Sequence, residues 1–338
     1  DRGDTWQEIS PDLTTNNPQR INGKGNIQFC TITTISESPR QAGVIWVGTD
    51  DGRVWVTKDH GASWTECTAE LIPLGGPKEL WVSRVFASAH QAGTAYVTKT
   101  GFRADDFKPY VFKTTDFGRT WTAIMQGLPN KPVNVIFEDP KNPDLLYVGN
   151  DKGVYVSLNA GGNWQHFQSN MPPSVPVHDL LVHPRENDLV VGTYGRGVFV
   201  ADVSALQEYK PEMDKATLHL FNIEPKPLRL EGVQFANYHL YGNRHIRTPN
   251  EPNGLSIRYF TSNSSDSLRV NIQDVQGRPV RTWKLLPKAG LNELVWNFSA
   301  APARGRRGPA NPVSPGEYLI TLEQAGQKQS KPGRFTKV

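Results

Sequence analysis

Two cysteines in 338 residues are too few for a disulfide framework or a cysteine-based zinc site, so Cys30 and Cys67 are expected to be buried and free. No run of about 18 apolar residues occurs, which argues against a membrane-spanning helix. The chain opens on DRGDTW and lacks the charged and apolar regions of a signal peptide, so export is expected to be directed by sequence outside this segment. Charge of one sign is also scarce. The net charge is +4, with seven Lys/Arg against two Glu concentrated in residues 302–338, and this is no nucleic-acid footprint. Long helical periods are missing. What the chain has in quantity is turn chemistry: 30 Gly, 26 Pro and nine Trp describe many short strands separated by turns, in two domains of an all-β protein.

One turn occurs four times. Asp1, Gly3 and Trp6; Asp59, Gly61 and Trp64; Asp116, Gly118 and Trp121; and Asn159, Gly161 and Trp164 share the pattern Asp/Asn-x-Gly-x-x-Trp, at spacings of 58, 57 and 43 residues. The carboxylate or amide oxygen caps backbone N–H groups of a tight turn, Gly takes the positive-φ position, and Trp anchors the following strand in the core. Upstream of each complete copy lie three β-rich runs: 27–35, 44–49 and 53–57; 81–88, 95–98 and 110–114; 133–138, 145–149 and 153–157. Four-stranded units of 40–55 residues are propeller blades. Complete blades are expected over 27–69, 81–128 and 133–170. A last unit, 177–206, ends on Ala201-Asp-Val-Ser in place of the turn motif, with one helical turn over 204–208. Four blades and a stray strand do not close a ring, so the remaining N-terminal blades are expected from the same polypeptide or from a second chain.

The stretches at 9–15, 47–52, 177–185 and 192–197 resemble the bacterial Asp-box (BNR) repeat proteins of sortilin-type or "glycosyl hydrolase" label, over residues 1–208. The resemblance implies an exported, periplasmic or cell-surface protein and a larger ring, expected to have seven blades. Residues 254–338 read independently as a β-sandwich with strands at 256–261, 267–273, 280–286, 292–297 and 316–323. Asp274, Gly277, Trp296 and Tyr318 there resemble the immunoglobulin-like domain of flagellar hook-capping type. Residues 209–253, rich in proline, read as a connector.

Strand order decides which loops share a face. Turns between the third and fourth strands lie with those between the first and second, so the Asp-box residues sit away from the expected ligand face and are structural. The opposite face collects Asp50, Asp51 and Arg53, the inserted segment 101–109 with Arg103, Asp105 and Asp106, then Asp151 and Lys152, and finally Tyr194 and Arg196. Trp81 and His178 stand at the same rim. His178 and His183 lie on a strand that reads as largely buried and are expected to be hydrogen-bonded structural residues, not metal ligands. Arg304, Arg306 and Arg307 form a solvated basic loop. No metal or cofactor is indicated. The pattern therefore suggests a scaffold that binds a peptide, protein or glycan on this face. The alternative is a glycoside hydrolase, either sialidase-like with Arg53, Arg103, Arg196 and Tyr194, or cleaving with Asp105 or Asp106 and an acid from a missing blade.

Overall fold

The computed structural model describes residues 3–22, 29–168, 171–228, 253–301 and 312–337. Asp1 of the first turn and the 304–307 basic loop lie outside them. The chain divides into two compact units, Asp1–Tyr209 and Lys210–Val338.

The first unit is an array of propeller blades. Blade A comprises β1 (Ile32–Glu37), β2 (Ile45–Thr49), β3 (Val54–Thr57) and β4 (Thr65–Glu66). Blade B comprises β5 (Trp81–Ala87), β6 (Ala95–Gly101), β7 (Asp106–Thr114) and β8 (Thr122–Ala123), and blade C β9 (Val133–Glu138), β10 (Leu146–Asn150), β11 (Gly153–Ser157) and β12 (Gln165–His166). Each is an antiparallel meander in sequence order, while blade D has three strands: β13 (Val177–Val182), β14 (Asp188–Thr193) and β15 (Val198–Asp202). The helical turn Ser204–Gln207 follows. Short strands, with the second strands of blades B and C buried at every position between neighbouring sheets, and first strands packed side by side fit sheets that radiate from a common axis.

Three of the four Asp/Asn turns share a complete set of bonds. Asp59 Oδ1 accepts from Ser63 N at 2.9 Å and from the Thr57 hydroxyl at 2.8 Å, and the same hydroxyl receives Gly61 N at 3.0 Å. Asp116 and Asn159 repeat this with Thr114 and Ser157. The hydroxyl two residues before the Asp is thus a fourth element of the motif. His60 and Gly61 both have positive φ, at 60° and 93°, which only a primed two-residue turn requires. His60 N bonds to Gly43 O, Phe117 N to Gly93 O and Ala160 N to Asp144 O, so each such turn meets the turn between first and second strands of its own blade.

The turns also join blades. A Cβ on Gly61 would strike Ile9, on Gly118 it would strike Cys67 Sγ, and on Gly161 Ile124. Those three neighbours each stand three residues after the preceding turn's Trp. Trp64 Nε1 donates to Ile9 O at 2.9 Å and Trp164 Nε1 to Ile124 O at 2.7 Å. Trp121 and Trp164 are buried, but Trp64 is half-buried and Trp6 is 91% exposed. Anchoring by the indole therefore holds only where an adjoining blade covers it, and Trp6 bonds to its own Gly3 O. Cys67 is buried against Gly118, its thiol pushed up to about 12 by burial and by Glu66 and Glu70, whereas Cys30 is only half-buried.

The Asp59 carboxyl is lowered to about 2, chiefly by the Ser63 hydroxyl, then by Ser63 N and Thr57. A folded value below the unfolded one makes this stabilisation complete above about pH 4, and it is lost as pH falls towards 2. Thermal unfolding of wild type and Asp59→Asn should therefore converge between pH 4 and pH 2. Parallel curves would contradict the assignment.

The second unit is a β-sandwich. Its three-stranded sheet runs β16 (Leu218–Leu220), β18 (Leu255–Thr261), β21 (Gly290–Trp296). The five-stranded sheet runs β17 (Lys226–Leu228), β23 (Gln327–Lys337), β22 (Gly316–Gln324), β19 (Leu268–Asp274), β20 (Pro279–Leu285). One core, centred on Trp296 with Tyr318 and Phe335 at its edges, fills the space between them. Two strands come from the segment read as a connector, so that reading is corrected: Leu218 and Leu220 are buried in this core, and 226–228 pairs in parallel with 335–337. β23 carries Pro332, which demotes a strand in sequence. Here Pro332 pairs with Leu319 on one side, and β17 joins only beyond it, so its missing N–H costs no ladder bond.

Candidate ligand-binding site

All four first strands carry the same irregularity. Pairing slips between Ile32 and Thr34, Val82 and Arg84, Val133 and Val135, and Val177 and Asp179, leaving Thr33, Ser83, Asn134 and His178 as bulge residues. A bulge removes one residue from the ladder and re-aims its side chain. Here the released groups reach the next blade: Thr33 Oγ1 donates to Val82 O at 2.9 Å, Ser83 Oγ to Val133 O at 2.8 Å, and Asn134 Nδ2 to Val177 O at 3.1 Å. The result is a girdle of side-chain bonds around the inner strands, at the end away from the Asp/Asn turns.

Above the girdle opens a cavity of about 640 Å³. Ser83, Asn134 and His178 contribute from the bulges, and Asp151 and Tyr194 from turns between second and third strands. Trp81 contributes from the start of β5, Pro176 from just before β13, and Phe102 and Arg103 from the segment joining β6 to β7. Arg103 lies over the Trp81 ring at 4.3 Å and beside Phe102 at 5.4 Å. The His178 ring also lies 5.3 Å from that of Tyr194, tilted by 34°, and Tyr194 is 74% exposed. Arg84 Nη2 pairs with Asp179 at 2.6 Å, linking the first strands of blades B and D past that of blade C. Asp151 accepts from Asn134 Nδ2 at 3.0 Å. A second cavity, about 240 Å³, adjoins on the blade A side and shares Trp81, Thr100, Phe102 and Arg103.

Of the residues read from sequence as a ligand face, the cavity brings together Trp81, Arg103, Asp151, His178 and Tyr194. Asp51 lines neither cavity, and Asp50 lines the second one with its carboxylate already engaged. Both are buried: Asp50 accepts from Thr31 N and Oγ1, and Asp51 from Thr15 N, the Thr15 hydroxyl and the Thr49 hydroxyl. Burial opposes ionisation of Asp51, but the hydroxyls of Thr15 and Thr49 outweigh it and hold the carboxyl below the usual range. Together with Trp55 Nε1 on Leu13 O, Asp51 ties the 13–15 segment to blade A. Arg53 is paired with Glu66 at 2.8 Å. The inserted segment is no free loop: after the 3-10 turn Phe102–Ala104, Asp105 sits at φ 55°, and Asp106 starts β7 with its carboxylate on Tyr110 OH and Lys108 N. Lys152 and Arg196 are exposed and stand outside the lining. His178 is exposed, not buried, and His183 Nδ1 accepts from Glu186 N in a turn. Among the described residues no cluster of three or more metal-ligating side chains occurs.

Sequence reading missed Ser83, Arg84, Thr100, Phe102 and Asn134. Aligning the first strands would have found the bulges, because each has a polar residue directly after an Ile or Val: Ile32-Thr33, Val82-Ser83, Val133-Asn134, Val177-His178.

Deeper in blade B, Lys99 is fully buried, with its ammonium on Gly52 O at 2.9 Å and Pro77 O at 2.8 Å. Burial first, then Arg53, lowers its pKa to about 7. It fastens the turn of blade A to the segment leading into blade B, beneath the Trp81 shelf.

No family model matches the chain. Among curated proteins, the vacuolar protein sorting/targeting protein 10 of Coccidioides posadasii (strain C735) is 33% identical over 78 residues, which is 22% of this chain and 5% of that protein. Among solved structures, a GH74 enzyme of Niastella koreensis is 14% identical with a TM-score of 0.41, over 52% of this chain and 29% of that one. A GH74 xyloglucanase of Xanthomonas campestris is 11% identical with a TM-score of 0.41, over 90% and 47%. YCF48 bound to D1 peptide is 14% identical with a TM-score of 0.35, over 89% and 82%. The chain thus spans a small part of the curated relative and under half of both GH74 structures.

Proposed function

We propose that the blade array is a recognition module of an exported or cell-surface protein, and that it takes a peptide or glycan segment in the cavity at the bulge end. One observation carries this reading: the same bulge in four consecutive blades turns polar side chains towards one end, where the Trp81–Arg103 and His178–Tyr194 pairs flank an open cavity. Aromatic faces beside a few fixed polar groups suit a ligand with both apolar and hydrogen-bonding surface. Hydrolysis by two carboxylates needs acids about 5–9.5 Å apart around the scissile bond. The cavity lining holds one carboxylate, Asp151, with an oxygen already engaged by Asn134, while Asp179 stands outside the lining and is paired to Arg84. Retention without turnover is the favoured outcome.

The turns are of the Asp-box type, supported by the shared hydroxyl-carboxylate geometry, and the second unit is a sandwich of immunoglobulin-like type that serves as a spacer or docking module. Glycan and peptide arrays, followed by product analysis, test the function. Retained ligands that are recovered intact support it. Turnover abolished by Asp151→Asn would replace it with a glycoside hydrolase.

A further inference from the structure

Across blades A, B and C, one position of the repeat lacks a partner in blade B alone. Asp50, Thr100 and Asp151 are equivalent, each one residue beyond the second-strand residue that opposes the last residue before the bulge. Asp50 accepts from Thr31, and Asp151 from Asn134. The Thr100 hydroxyl has no partner among the described residues, although Thr100 is only 9% exposed and lines both cavities. A buried hydroxyl left unpaired is costly to a fold, so water or a ligand must meet it.

Thr100 opposes Trp81 across the sheet and stands on the face where Tyr96 packs against Val133 and Ile136 of blade C. The seam between B and C lacks the plug found one blade earlier. Lys99 and Asn150 are equivalent, each opposite the residue before a bulge. The Lys99 ammonium crosses its seam to Gly52 O and Pro77 O. Asn150 is shorter and spends Oδ1 on Lys152 N and Gly153 N of its own turn, leaving Nδ2 buried without a partner among the described residues. Arg84, also in the cavity lining, pairs Nη2 with Asp179 but has Nε buried and unpartnered. Blades B and C each have a described neighbour on both sides.

The groups on offer at this seam are mixed in kind. Arg84 Nε donates, the Thr100 hydroxyl donates or accepts, and Asp151 Oδ2 and Asn134 Oδ1 are the acceptors not used in the bond between those two side chains. Adjacent hydroxyls of a sugar ring complement such a set, because each donates once and also accepts. An extended peptide is the poorer match: strand addition needs an unbroken edge, and β5 and β9, the inner edges here, are broken at Ser83 and Asn134. Arg84 is paired, and Arg103 and Asp151 balance in charge, so the lining favours no net charge on the ligand.

We propose that the bulge end of the seam between blades B and C is a sugar-reading subsite. It takes one ring of a neutral glycan, with adjacent hydroxyls on Thr100 Oγ1, Arg84 Nε and Asp151 Oδ2, and Phe102, 48% exposed, beside the apolar face of the ring. The proposal rests on the cavity being the ligand site and narrows that reading to glycans.

The test is calorimetric titration of the full chain with neutral oligosaccharides of glucose, galactose, mannose or xylose, and with peptides of matching length. For the oligosaccharide bound best by wild type, Thr100→Val should weaken binding about fivefold or more, while its thermal midpoint stays at or above that of wild type, because the hydroxyl has no partner in the free protein. Thr100→Ser restores the hydroxyl and should bind within about twofold of wild type. Periodate, which cleaves between adjacent hydroxyls, should abolish binding when the oligosaccharide is treated with it first. Binding weakened by Trp81→Ala but not by Thr100→Val would keep the cavity as the ligand site and overturn the subsite, the hydroxyl then being met by water. Peptides bound with no oligosaccharide retained, or binding that survives periodate, would overturn the choice of a sugar. An oligosaccharide bound equally well by Trp81→Ala and Thr100→Val would overturn both the subsite and the cavity reading beneath it.

Discussion

Glu138→Leu is expected to lower the unfolding free energy by about 3–5 kcal/mol, as read from urea denaturation. Glu138 ends the first strand of blade C and is 2% exposed. Its carboxylate accepts from the Ser88 hydroxyl at 2.7 Å, Ala89 N at 2.7 Å and the Tyr96 hydroxyl at 2.8 Å, all in blade B. Leucine fills similar volume but strands two buried hydroxyl donors and the half-buried Ala89 N, each buried one at a cost of about 1–3 kcal/mol, partly offset because the carboxylate itself is no longer desolvated. Glu138→Gln keeps one acceptor oxygen and should fall between wild type and Glu138→Leu. A loss below about 1 kcal/mol for the leucine variant would show that water reaches these donors and that this network does not clamp B to C.

Gly52→Ala should cost about 2–4 kcal/mol for two separable reasons. Gly52 has φ +95°, where an L side chain is strained, and a Cβ there would overlap the Lys78 carbonyl oxygen and lie 2.9 Å from Glu79 Cα. Relieving that overlap moves Gly52 or the 77–78 segment, whose Gly52 O and Pro77 O receive the Lys99 ammonium and whose Lys78 O lies 3.5 Å from it. Gly75→Ala is the control: φ is +84° but nothing lies within 4 Å, so only the backbone strain of about 1 kcal/mol applies. Equal losses at both positions would mean that the approach of blade A to the segment before blade B is not tight. Loss of Lys99 seating should also loosen Trp81, a few residues further on.

The blades were legible because their signals are local and periodic. Alternating Val, Tyr and Trp runs placed most strands within a few residues, and the Asp-x-Gly-x-x-Trp turn placed the corners, since capping and positive φ demand particular residue types. What escaped depends on neighbours. Trp6 and Trp121 are the same letter in the same motif, yet their burial differs with the sheet that adjoins them. Asp50 and Asp51 look like any exposed Asp-Asp-Gly turn; their burial comes from Thr15 and Thr31, whose hydroxyls reach them from other segments. The bulges left a weak trace, a polar residue after Ile or Val, that no single blade distinguishes from ordinary alternation. In the sandwich, β16 and β17 are three residues each, too short to show a period, and β23 is polar with a proline inside.

The central claim is that ligand enters at the bulge end and not among the Asp/Asn turns. Titration of a ligand retained from the arrays into wild type, Trp81→Ala and Arg119→Ala tests it, because Trp81 lines the cavity while Arg119 is exposed within the turn of blade B. Trp81→Ala should weaken binding at least about tenfold, or 1.4 kcal/mol, with Arg119→Ala at the wild-type value. Weakened binding by Arg119→Ala with Trp81→Ala unchanged would place the site at the opposite end of the blades and contradict the account.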